Sequence, residues 1–191
     1  MEYCSHDLFE AATYGIAHDL QQLINLTPPQ KDLNRALVAA AAFGNDRCVD
    51  ILLAVTDPKY NNSQAFRAAV RNNHLSCVNI LLPVSDGNAC NSEALWVAAA
   101  HGFDQYVTML IPMASAHECA KALVGAVKHN RSQCVDLLCA HVDQKDILDT
   151  ISTLNLSSEV VSSLYQIMAQ HQNSVLSREV LGERAHVSRK L

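Results

Sequence analysis

The feature that most constrains this chain is that it repeats itself. ALVAAAAFGNDRCVDILL begins at Ala36, AFRAAVRNNHLSCVNILL at Ala65, ALWVAAAHGFDQYVTMLI at Ala94 and ALVGAVKHNRSQCVDLLC at Ala122, at spacings of 29, 29 and 28 residues. A degenerate copy, DLFEAATYGIAHDLQQLI, starts at Asp7, 29 residues before Ala36. Units this short cannot each enclose a core. They bury their apolar faces on one another, so the five copies predict a stack stabilised between neighbours and closed by polar end units.

Within a unit the apolar residues fall at helical spacing, as in Leu37, Ala40 and Ala41 and then Val49, Leu52 and Leu53, which predicts two short helices. Gly15, Gly44, Asn73, Gly102 and Asn130 stand between them. Gly and Asn are the residues that most readily take the left-handed backbone ending a helix, so a sharp helix–turn–helix is expected five times. Asn34, Ser63 and Ser92 are expected to cap the first helices, with Asp46, Asp104 and Ser132 near the starts of the second. Pro58 falls in an inter-unit loop, and Pro83 and Pro112 follow the apolar pair that ends a second helix.

The pattern L-x-x-A-A-x-x-G-x-x-x-x-V-x-x-L-L, carried by Leu37, Ala40, Ala41, Gly44, Val49, Leu52 and Leu53, resembles the ankyrin repeat. The resemblance runs over roughly residues 7 to 140 and implies an all-α, ankyrin-like helix-turn-helix repeat solenoid. Two departures stand out. The Thr-Pro opening of the family is replaced by Arg35-Ala36, Gln64-Ala65, Glu93-Ala94 and Lys121-Ala122, and the units fall short of the family's length of about 33 residues. The deficit is assigned to connections such as Ala54–Gln64, so the β-hairpin fingers are expected to be reduced to plain loops. The organisation expected is an N-terminal capping repeat over 1–34, four repeats over 35–143, C-terminal capping helices over 144–171 and a tail over 172–191. The second capping helix is amphipathic through Val160, Val161, Leu164, Ile167 and Met168.

Composition narrows the function. A net charge of −5 over 191 residues offers no general attraction to nucleic acid or anionic lipid. The opening MEYCSHDLFE lacks a secretory signal pattern, and no apolar run reaches the roughly 18 residues of a membrane helix. Seven cysteines suit free thiols in a reducing, cytoplasmic setting better than a disulfide framework. Cys48, Cys77 and Cys134 recur at one place in three units, which is the behaviour of small buried hydrophobes. His117 with Cys119 and Cys139 with His141 lack the spacing of zinc ligands. Motifs of hydrolases, P-loops, zincins and dinucleotide folds are absent. No enzyme activity, cofactor or metal is expected.

In ankyrin repeats three positions of each first helix line the concave surface. Mapped onto this chain they give Phe9, Thr13 and Tyr14; Val38, Ala42 and Phe43; Arg67, Arg71 and Asn72; Trp96, Ala100 and His101; and Val124, Lys128 and His129. Aromatics and Arg are enriched in binding hot spots, so the contact residues expected are Phe9, Tyr14, Phe43, Arg67, Arg71, Asn72, Trp96, His101, Lys128 and His129. The plainer reading is that Phe43 and Trp96 pack between units and the cations only solvate the surface. The function expected is a monomeric, non-enzymatic scaffold that docks a partner protein in this groove, with aromatic anchors and with Arg67, Arg71 and Lys128 selecting an acidic segment. A bacterial effector acting in the host cytoplasm is one alternative, because divergent arrays of this kind occur in such proteins. A metal-dependent or enzymatic protein is the other.

Overall fold

The computed structural model describes residues 4–85, 87–154 and 156–170. The turn residues behave as their chemistry dictates: Gly15, Gly44 and Gly102 have φ of 73°, 77° and 82°, and Asn73 and Asn130 have 61° and 55°. Each stands between the two helices of a unit. The first pair is α1 (Ser5–Tyr14) and α2 (Ala17–Ile24), followed by α3 (Gln30–Phe43) and α4 (Asp46–Leu53), then α5 (Tyr60–Arg71) and α6 (Leu75–Leu81). The last two pairs are α7 (Gly87–His101) with α8 (Asp104–Leu110), and α9 (Ala116–Lys128) with α10 (Ser132–Cys139). α11 (Gln144–Thr153) and α12 (158–170) follow. Pro83 and Pro112 each sit in a 3₁₀ turn that extends a second helix. The tail expected over 172–191 lies outside the described residues.

Helix starts differ from the sequence expectation. α3 begins at Gln30 and α7 at Gly87, so Asn34 and Ser92 lie inside helices instead of capping them, and the division expected between residues 34 and 35 falls within α3. Asn34 is buried. Its Oδ1 accepts from the Gln30 side chain (3.2 Å) and from the backbone N–H of Asp57 (3.2 Å), pinning the inter-unit loop. Ser63 is no cap either: it is buried and belongs to a left-handed stretch, Asn61 to Ser63 with φ of 49° to 55°, before α5 becomes regular. Among the described residues, side-chain caps are made by Ser115 and Asp143, 28 residues apart. Ser115 forms a capping box with Glu118. Asp143 accepts from the Asp146 N–H at 2.8 Å, which holds its carboxyl below the usual range. Asp46, Asp104 and Ser132 are the first residues of second helices whose N-cap residues make no side-chain cap bond; Asp46 Oδ1 accepts from the Arg47 N–H at 2.7 Å, and the two aspartates complement the positive end of the helix dipole. Among the described residues there is no strand, so loops replace the β-hairpin fingers.

The first helices α1, α3, α5, α7, α9 and α11 pack in succession, with the second helices behind them. Of the apolar pair that ends each second helix, the first residue is the core one: Leu52, Leu81, Leu110 and Leu138 are at most 1% exposed. Leu53 and Leu82 are half-buried at the edge. Cys48, Cys77 and Cys134 are buried, and Tyr106 takes their position in the fourth unit. Burial raises all three thiols, Cys77 to about 11.

A polar ladder joins the turns. In three units the residue after the turn reaches back to the helix C-terminus of the preceding unit, where carbonyls lack partners. Asn45 Nδ2 donates to Ala12 O (2.8 Å) and Thr13 O (2.7 Å), the His74 ring N–H donates to Ala42 O (3.0 Å), and Arg131 Nε donates to Ala100 O (3.1 Å). Phe103 holds the same position in the fourth unit and stacks on His101 instead, with ring centroids 5.5 Å apart. The turn glycines belong to this device. A β-carbon on Gly44 would lie 2.5 Å from the His74 ring and one on Gly15 2.7 Å from Asn45.

Candidate binding surface

A first helix packs with its Leu-x-x-Ala-Ala stripe and leaves the remaining positions to the face it shares with its neighbours' first helices. Four aromatics stand on that face. Tyr14 is 70% exposed, Phe43 59%, Phe9 42% and Trp96 39%. An exposed ring forgoes the favourable free energy of burial, so four on one layer of a short array mark a candidate contact surface. Phe9 also borders a cleft of about 200 Å³ with Ser5, His6, Asp32 and Arg35.

Trp96 is also an inter-unit packing residue. Its indole lies on α9 at Gly125, where a β-carbon would be 2.9 Å from Nε1. That contact explains a glycine inside a helix, a placement that costs about 1 kcal/mol against alanine. Phe43 and Tyr14 are the more open rings.

The cations are not simply solvated. Arg67 and Arg71, one turn apart on α5, both face Glu93 on α7. Arg67 pairs with Glu93 Oε2, and Arg71 with Oε1 at 3.2 Å. Arg67 also donates to Asn61 O at 3.2 Å. Its side chain is 22% exposed, against 59% for Arg71 and 42% for Glu93. The Asn72 amide donates to Ala68 O (2.9 Å) and finishes its own helix. His101 makes a ring contact to Val97 O at 2.9 Å. Lys128 and His129 are exposed at the end of α9. Two mapped positions, Ala100 and Val124, are buried at 5% and belong to the packing. Sequence reading missed Glu93; its position replaces the family's Thr-Pro opening, which was the available signal.

Among the described residues no three His, Cys, Asp or Glu side chains form a group that could hold a metal. The cysteines Cys119 and Cys139, considered as ligands, are buried, and burial pushes both thiols up, Cys139 to about 11. No described helix is long and apolar enough to cross a membrane.

Residues 8–92, and again 68–149, match the family described as ankyrin repeats (3 copies). The chain belongs to the ankyrin-repeat family. Ankyrin repeats generally mediate protein–protein interaction, and the family is typically non-enzymatic. No curated protein matches the chain.

Proposed function

We propose that this protein is a non-enzymatic scaffold that binds a segment of another protein on its first-helix face. The observation that carries the reading is the exposure of Phe9, Tyr14, Phe43 and Trp96, between 39% and 70%, while the packing positions of the same helices are buried. Rings of this size contribute binding energy chiefly when a partner removes them from water. Arg71 and Lys128 give the face exposed positive charge, which supports an acidic segment as the preferred partner. Free, buried thiols among the described residues support a reducing compartment such as the cytoplasm.

The test is the double variant Tyr14→Ser and Phe43→Ser. Both side chains are largely exposed, so melting should be little changed. Peptides selected on the wild-type chain should bind the variant at least about tenfold more weakly. Equal binding with the fold intact would remove the face from consideration.

A further inference from the structure

The Glu93 carboxylate divides its attention between two arginines, and the two contacts are unequal. Arg67 is held from two sides, by Glu93 and by Asn61 O, and its Nε is buried without a hydrogen-bond partner among the described residues. Removing the carboxylate would strand a half-buried charge, so this contact is a fixed brace. The contact to Arg71 is longer, at 3.2 Å, and solvent-exposed. Exposed pairs of that kind shift an equilibrium by about fivefold at most.

A guanidinium offers five N–H donors in a planar fork suited to a second carboxylate. Trp96 follows Glu93 by three residues on α7, on the same side of the helix, and occupies in its unit the position that Arg67 occupies in the preceding one. The carboxylate that Arg71 contacts and the half-exposed ring of Trp96 therefore lie within one helical turn of each other on α7.

We propose that Glu93 sets the charge selectivity of this face. A carboxylate of the partner segment binds at Arg71 in exchange for Glu93, while the Arg67 brace stays in place, and an adjacent apolar side chain of the segment rests on Trp96. Glu93 acts as a built-in competitor that discourages weakly acidic sequences. The inference rests on the reading that the first-helix face binds protein.

The experiment uses a random peptide library displayed on phage and selected in parallel on the full wild-type chain, Glu93→Gln and Arg71→Gln. Wild type should enrich peptides with Asp or Glu beside an apolar residue. Glu93→Gln should bind those peptides about two- to fivefold tighter, with a steeper loss of affinity as salt rises. Arg71→Gln should lose the acidic preference. Unchanged affinity and salt dependence in Glu93→Gln would overturn the proposal even though peptides bind. Enriched peptides indifferent to the Tyr14 and Phe43 substitutions would overturn the functional reading itself, and the proposal with it. If Glu93→Gln melts lower, Arg71→Gln alone decides: an acidic preference that survives it overturns the proposal.

Discussion

Trp96 lies so close to Gly125 that a β-carbon there would sit 2.9 Å from its indole nitrogen. The sole tryptophan of the chain is thereby both a surface ring and a wedge between the fourth and fifth units. Gly125→Ala should displace the indole into water and shift its fluorescence to longer wavelength. Trp96→Ala should cost on the order of 1–2 kcal/mol of stability. Emission unchanged in Gly125→Ala would show that the contact is not made in solution.

Leu52 is fully buried whereas Leu53 is half-buried. Leu52→Ala should cost about 2–5 kcal/mol in a urea melt, and Leu53→Ala roughly half as much. The reverse order would mean that α4 is rotated.

Asn45 donates to two carbonyls of the preceding unit. Asn45→Ala leaves both without that donor and should lower stability by about 1–3 kcal/mol, while the exposed Asn25→Ala serves as a near-neutral control. Equal melting of the two variants would dismiss the ladder as a stabilising device.

The buried thiols have raised pKa values, about 11 at Cys77 and Cys139. A folded-state pKa above the unfolded one means the stability contribution is present at neutral pH and is lost as pH climbs from near 9 toward 11. The stability advantage of wild type over Cys77→Ala should shrink through that window. At pH 7.5 iodoacetamide should modify exposed Cys4 rapidly and Cys48, Cys77 and Cys134 slowly. Rapid native-state labelling of those three would contradict their burial.

The period, the turns and the layered helix pairs were legible in the sequence because Gly and Asn at the left-handed positions and the Leu-x-x-Ala-Ala stripe depend on local chemistry alone. Helix starts were not, because Asn34, Ser63 and Ser92 resemble caps in isolation. What decides the role of Asn34 is a loop 23 residues away, where the Asp57 N–H donates to it. The Ser115-x-x-Glu118 box could have been read directly. Of the surface, the exposed rings followed from the family pattern. The pairing of Arg67 and Arg71 with Glu93 spans 26 and 22 residues and depends on how adjacent first helices register, which composition does not disclose. The same holds for Trp96 on Gly125.

The most direct measurement is hydroxyl-radical footprinting of the chain with and without a peptide selected on it. Tyr165 on α12, 49% exposed, and Leu75 at the start of α6, 40% exposed, serve as internal controls away from the first-helix face. Binding on that face predicts that Tyr14, Phe43 and Trp96 become protected while Tyr165 and Leu75 keep their reactivity. Protection of Tyr165 or Leu75 with Tyr14 and Phe43 unchanged would place the binding site elsewhere and contradict the proposed function.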